Sequence, residues 1–471
     1  MDYSLLATEI LTAVIGLLVL VSGLVLPQRG REIVGKMSVL ALLLVLIYTI
    51  FRFHVHQSFF GGIYLVDSYG SFFKILFLLA ALLVMLSTGK YIERFRERSS
   101  EFYALMIFAT LGMMIMACAG DLITVYLGLE LMTVSFYILT AYLLNDERSA
   151  EAGLKYLILG AVSSAVMLFG VSLIYALSGT TVIGEIAAKI NTQPALIAGI
   201  VMLLAGFAFK ISAVPFHMWA PDIYQGAPIP VTTYLAVGSK AAGFAALVRI
   251  FMIALPLSQF NWTLMLAVLA ALTIIIGNLI ALTQKDVKRL LAYSSIAQAG
   301  YILAGLVAAN AYGLKGVLFY AMLYVFSNTG AFAVATAVEV DTGSTDISSF
   351  AGLGNRSPLL AAVMTICMLS LAGIPPLAGF AGKFYLFSGA VQSGYLWLAF
   401  IGLIMSMISV YYYLQVAKVM YIGEEAKPNE KMEVGGVARF AMWICLLGTI
   451  FLGVYPAPLS NLAQTAIQLF M

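Results

Sequence analysis

Apolar residues run along this 471-residue chain in blocks about twenty residues long, separated by short polar breaks. An α-helix needs about 20 apolar residues to cross a bilayer core. Fourteen segments meet that measure: 7–26, 33–53, 70–89, 102–119, 121–144, 153–178, 196–218, 230–255, 262–283, 290–309, 314–338, 358–392, 396–421 and 437–458. The expected fold is an all-α polytopic membrane protein of about 14 transmembrane helices. The amino terminus, Met1-Asp2-Tyr3 followed by a long apolar run, lacks the basic lead and short apolar stretch of a cleavable signal, so segment 1 is expected to stay as a span.

Composition agrees, with 62% hydrophobic and 10% charged residues against roughly a quarter charged in an ordinary soluble domain. The net charge of +3 and the lack of a basic run exclude a nucleic-acid partner. Placement of the charges says more than their sum. Counting Lys and Arg on alternate connections puts sixteen on one face and five near the other, so by the positive-inside rule both termini lie on the outer side. Cys118, Cys367 and Cys445 stand singly on apolar stretches, which leaves no disulfide framework and no ligand set for an iron–sulfur cluster.

Two segments are broken. In Lys210-Ile-Ser-Ala-Val-Pro215-Phe-His217-Met-Trp219-Ala-Pro221-Asp222 and in Ala372-Gly373-Ile374-Pro375-Pro376, each proline removes a backbone donor from the helix. At membrane depth such backbone is tolerated only where protein or a water-filled cavity satisfies it. Segments 7 and 12 are five apart, and an odd number of spans reverses orientation, so two inverted five-helix repeats are expected. The chain then divides into an N-terminal three-helix part (1–101), a first repeat of helices 4–8 (102–255), a second of helices 9–13 (256–421), and a C-terminal loop with helix 14 (422–471). Lys210 precedes its prolines and Lys383 follows its own, so their roles are compared and their positions are not aligned.

Lys155, Lys210, Lys240 and Lys383 fall inside expected helices, and Glu130 is the acid expected near mid-depth. Glu130, nine residues into its helix at about 1.5 Å each, lies roughly 14 Å deep in a core about 30 Å thick. Each such charge costs about 2.5–3.5 kcal/mol to insert, which marks it for function unless it snorkels or forms one packing ion pair. Lys155 comes out shallower. His217 reads equally as a satisfied core histidine or a proton carrier, Asp222 as a cap on the second half of the broken helix, and Arg249 and Lys315 as interfacial anchors. Glu130 is the expected partner of Lys210.

Redox chemistry finds no support. His54 and His56 share one loop, His217 is alone, and there is no dinucleotide fingerprint or phosphate-binding loop, so no cofactor or metal is expected in this chain. Protons or small cations remain. An ordinary lysine holds its proton up to a pKa of about 10.4; burial lowers that value and a nearby carboxylate restores it. Moving a Glu and a Lys together or apart therefore switches proton affinity.

Gly128-Leu-Glu130, Lys210-x4-Pro215-Phe-His217-x-Trp219-x-Pro221-Asp222, Gly238-Ser-Lys240, Lys288-Arg289-Leu-Leu-Ala-Tyr293-Ser-Ser-Ile296 and Leu371-Ala-Gly-Ile-Pro375-Pro376-x-Ala-Gly-Phe380-x-Gly-Lys383 together resemble the proton-conducting antiporter-like subunits of respiratory complex I, nearest to the subunit N branch of bacterial NADH:quinone oxidoreductase. The resemblance spans nearly the whole chain. It implies fourteen helices with broken helices 7 and 12, and proton translocation coupled to quinone reduction elsewhere in the complex. It implies a proton path through Glu130, Lys155, Lys210, Lys240 and Lys383; Lys383 is expected in the exit half, since broken helix 12 belongs to the second repeat and the two repeats open to opposite sides. NADH or another donor and the quinone would be used by other subunits. The implied partners are further antiporter-like and other membrane subunits, a peripheral electron-transfer arm and the lipid of a bacterial plasma membrane.

Two departures stand out. Many relatives have His where this chain has Gln298, and Thr where it has Leu377. Glutamine does not titrate, so a proton step there is expected to use Tyr301, Tyr293 or water. Helix 11 carries no lysine, only Tyr324-Val-Phe-Ser-Asn328-Thr329, as in the subunit N branch. Two alternatives remain open: a subunit of a multi-subunit sodium/proton antiporter, which shares this fold and most of the buried lysines, and a structural membrane scaffold, in which the buried charges would be replaceable.

Overall fold

The computed structural model describes residues 3–189, 193–255, 261–423 and 431–471, with backbone only for 28–32. The side chains of Arg29 and Arg31, and the whole of Lys427, all three counted on the inner face, lie outside the described residues.

Each of the fourteen expected segments falls on helix. Among the described residues eleven helical stretches are long and apolar enough to cross a membrane, and two shorter apolar helices, Pro194–Lys210 and Pro358–Ala372, are the first halves of the broken segments. Segments 3 and 4 are joined without a loop, through Gly89–Arg98. Several ends differ from expectation. Segment 7 was expected to end at 218, yet its second half is Trp219–Gly226, because the chain needs the irregular stretch after Lys210 before a helix can restart. Segments 6 and 11 are longer than their apolar blocks, at Glu147–Ser178 and Ala311–Thr342, since polar first and last turns extend beyond the hydrocarbon. A short hairpin, Gln57–Phe59 with Tyr64–Val66, and a final helix, Ala457–Ile467, were not expected.

The repeat is visible in local geometry. Asp121 caps Leu122–Thr140 by accepting Thr124 N–H (2.8 Å), and it accepts the Thr181 hydroxyl (3.1 Å). Asp286 caps Val287–Ala308 by accepting Arg289 N–H (2.8 Å), and it accepts the Thr345 hydroxyl. Backbone pairs match as well: Leu122 N to Thr181 O and Ile183 N to Gly120 O recur as Val287 N to Thr345 O and Ile347 N to Lys285 O. Both 32-residue helices end on a left-handed glycine, Gly179 and Gly343, a conformation that side-chain-bearing residues adopt at a cost.

The two capping aspartates sit at opposite ends of the molecule. Asp121 is bonded just past the C-terminal end of Glu147–Ser178. Arg289, three residues after Asp286, meets Asp222, which also binds Lys155 near that helix's start. The two units are therefore inverted. The breaks correspond too: left-handed Ser212 and Gly373 open them, and Ala213 N to Ala208 O recurs as Ile374 N to Leu369 O.

Ile229–Ile253, Val287–Ala308 and Ala311–Thr342 form the buried centre, while Glu147–Ser178 and Leu396–Ile422 present broad apolar faces outward. Gly112 and Gly128 let the Ser99–Cys118 and Leu122–Thr140 helices touch at backbone distance, since a Cβ on Gly128 would stand 2.8 Å from the Gly112 carbonyl oxygen. This explains the small residue beside Glu130.

Candidate functional site

Lys210 is the last residue of Pro194–Lys210 and is 2% exposed. Its ammonium donates to Thr133 Oγ1 (2.8 Å) on Leu122–Thr140 and to Tyr156 OH (3.2 Å) on Glu147–Ser178. Tyr156 is held in turn by Trp219, stacked on it with centroids 5.0 Å apart, and Trp219 Nε1 donates to Phe209 O, a carbonyl at the break that also accepts Ser212 N–H.

Glu130, the expected partner of Lys210, does not touch it. The half-buried carboxylate accepts the Ser164 hydroxyl, which also lies 3.1 Å from Tyr126 OH. Thr133 stands one turn nearer the end of the same helix and intercepts the ammonium.

Lys240, 4% exposed, follows the π-helical turn Leu235–Ser239 and donates to Ser295 Oγ (2.7 Å). Lys383, also 4% exposed, spends its donors on Leu371 O (2.8 Å), Ala372 O (3.0 Å) and Ser406 Oγ (2.8 Å), with the Tyr301 ring 4.5 Å away. Those carbonyls end the first half of the broken helix, where an ammonium meets the negative end of the helix dipole. A cavity of about 660 Å³ opens beside Lys383 and Ser406, walled by Phe380, Phe384, Leu403 and Met407. Between the two lysines lies Gln298. It accepts from Tyr320 OH (2.5 Å) and donates to Leu371 O (3.0 Å) and Tyr413 OH (3.3 Å). Tyr301, expected to substitute at this position, binds Asn278 instead, at 3.1 Å.

The remaining candidates separate from this line. Lys155, whose side chain is 43% exposed, pairs with Glu151 and, at 3.3 Å, with Asp222. Asp222 caps no backbone; its other oxygen accepts Arg289 at 2.8 Å, because cations on two neighbouring helices reach it first. His217 is buried, and its Nδ1 has no hydrogen-bond partner among the described residues. Lys315 sits over the Tyr312 and Tyr385 rings, in keeping with an anchor. Arg249 is no interfacial anchor: 1% exposed, it forms a two-pronged pair with Asp67 at 2.8 and 3.0 Å. Glu9, in the first turn of Ala7–Val25, is buried with Lys74 at 2.7 Å and Tyr64 OH at 2.6 Å. Counting depth along one segment cannot see a neighbouring element that covers it, here the hairpin.

Sequence reasoning missed Thr133, Tyr156, Ser295, Ser406, Tyr320 and Tyr413. The available signal was a hydroxyl in an otherwise apolar helix, but only tertiary packing selects which ones face a lysine. Among the described residues no three His, Cys, Asp or Glu converge as metal ligands.

Fold and site together define a multi-pass helical membrane protein with a buried line of ammonium groups, each set on neutral oxygens. Residues 119–409 match the family model described as NADH:quinone oxidoreductase/Mrp antiporter, transmembrane region. The chain is 53% identical to NADH-quinone oxidoreductase subunit N of Desulforamulus reducens, over 100% of this chain and 99% of that protein. A chain in the structure of respiratory complex I from Thermus thermophilus with bound aureothin is 34% identical, with a TM-score of 0.83 over 96% of this chain and 98% of that one. A chain of the Mrp complex from a Dietzia species shares the fold, with a TM-score of 0.86 over 99% of this chain and 97% of that one, at 20% identity. The chain belongs to the NADH:quinone oxidoreductase/Mrp antiporter transmembrane family.

Proposed function

We propose that this chain is the proton-translocating membrane subunit of the N type in an NADH-quinone oxidoreductase, assembled with other antiporter-like membrane subunits and a peripheral electron-transfer arm. Protons pass through Glu130, Lys210, Lys240 and Lys383, with Lys383 in the exit half, Lys155 at the exposed end and His217 as a relay beside the first break. The observation that carries this reading is that Lys210, Lys240 and Lys383 are buried with neutral oxygen partners only. An ammonium with no carboxylate in contact is the form that burial disfavours, so it exchanges its proton when a charge approaches or leaves. The division into 1–101, 102–255, 256–421 and 422–471 gives each repeat one broken helix and one half of the path.

In this reading electron transfer belongs to other subunits, which use NADH or another donor and quinone, and no redox group is assigned to this chain. The chain lies in a bacterial plasma membrane with both termini outside. The sodium/proton antiporter alternative shares the family and the fold, but the full-length relative at 53% identity is a subunit N. Lys210→Ala in the assembled complex tests the reading: quinone-coupled proton transfer is expected to be abolished, and transfer at the parental rate with normal assembly would overturn it.

A further inference from the structure

Asp222 stands on Trp219–Gly226, the second half of the first break, and divides its carboxylate between the repeats. Oδ2 takes Lys155 Nζ of the first repeat at 3.3 Å, and Oδ1 takes Arg289 Nη1 of the second at 2.8 Å. Arg289 also donates to Gln225 Oε1 (3.1 Å), which fixes it to the same short helix.

The contacts on either side of this carboxylate lead to the buried lysines. Tyr156 follows Lys155 directly, and its ring carries Trp219, one turn before Asp222. Ion pair and ring stack therefore join the same two helices side by side, and the Tyr156 hydroxyl at the end of the stack accepts from Lys210. On the other side, Arg289 opens Val287–Ala308, the helix that holds Ser295 against Lys240 and Gln298 against Leu371 O.

The corresponding position in the second repeat behaves differently. Counted from the left-handed residue that opens each break, Ser212 or Gly373, Asp222 and Lys383 occupy the same place. Lys383 binds carbonyls within its own repeat, whereas Asp222 reaches across to the other. Exposure also matters. The Lys155, Asp222 and Arg289 side chains are 43%, 42% and 32% exposed, so each pair is weak on its own and one can strengthen as the other loosens at little cost.

We propose that Asp222 is a positioning residue that couples the two repeats: by sharing its carboxylate between Lys155 and Arg289 it sets the seat of Trp219 on Tyr156, and so the hydrogen bond that Tyr156 offers Lys210. The inference rests on the reading of Lys210 as a proton-loading group.

The test compares Asp222→Asn, Asp222→Glu and Lys210→Ala in the assembled complex in vesicles, measuring proton transfer per assembled complex. Asp222→Asn keeps the shape and removes the charge, and is expected to slow transfer roughly five-fold, a usual size for coupling between sites. Asp222→Glu is expected to restore most of the rate. Parental transfer in Asp222→Asn while Lys210→Ala is inactive overturns the role of Asp222 and leaves that of Lys210 standing. Parental transfer in both overturns both. A slow Asp222→Asn that Asp222→Glu does not rescue also overturns the coupling role, since charge would not be what matters. Should Asp222→Asn fail to assemble, Arg289→Gln decides: slowed transfer supports the coupling and parental transfer overturns it.

Discussion

Two groups of buried charge in this molecule are built on opposite principles. Where the Asp67 loop and the first and third segments meet Ile229–Ile253, Arg249 faces Asp67 and Lys74 faces Glu9, cation against carboxylate. Along the middle, Lys210, Lys240 and Lys383 face hydroxyls and carbonyls, and among the described residues none is within ion-pair distance of a carboxylate. A buried ion pair holds both charges in place, and losing one partner leaves the other stranded. An ammonium on neutral oxygens keeps its packing when it gives up its proton. The first arrangement suits bracing the helices; the second suits the proton transfer proposed for it. Burial alone does not separate the two, because Arg249 is as deeply buried as Lys210.

The largest effect should come from breaking a brace. Arg249→Met strands the Asp67 carboxylate and is expected to cost about 3–5 kcal/mol, read as loss of the chain from the assembled complex or a lowered melting temperature. An assembled, thermally normal variant would remove the distinction between the two groups.

Lys383→Met comes next. It removes the ammonium's hydrogen bonds but leaves Gln298 on the Leu371 carbonyl and Ser406 on the Ala372 carbonyl, a loss of about 0.5–1.5 kcal/mol per bond, so assembly is expected to survive at a reduced melting temperature while proton transfer is lost. Transfer at the parental rate would return Lys383 to the bracing group. The smallest effect belongs to Tyr156→Phe. Thr133 still holds Lys210 and the ring still carries Trp219, so assembly should be unchanged and transfer slowed by a few-fold, about the worth of one hydrogen bond of 0.5–1.5 kcal/mol. An abolished rate would make Tyr156 an obligatory carrier.

Much of this arrangement is legible in the chain. Apolar block length put each of the fourteen expected segments on helix among the described residues, and the prolines at 215, 375 and 376 located both breaks. The lysines stood out because charge in an apolar helix is costly whatever surrounds it. Their partners did not, since Lys210 and Thr133 are 77 residues apart and Gln298 and Leu371 73, and no pattern along one helix selects a contact on another. The same blindness put Glu130 in contact with Lys210, although Thr133 and Tyr156 take up the ammonium and Glu130 acts on it only from a distance. It also placed Arg249 at the membrane surface, although Asp67 draws it inside. Lys155 looked like one of a set, yet its exposed pairing with Asp222 sets it apart.

The central claim is that the lysines on neutral oxygens work by releasing protons. Lys210→Arg in the assembled complex, reconstituted in vesicles and measured for quinone-coupled proton transfer, tests it most directly. Arginine keeps the positive charge and the hydrogen-bond donors but does not release its proton in a protein. Transfer is expected to fall nearly as far as in Lys210→Ala, with assembly retained. Transfer at the parental rate in assembled Lys210→Arg would contradict the claim and leave Lys210 a fixed charge like Arg249.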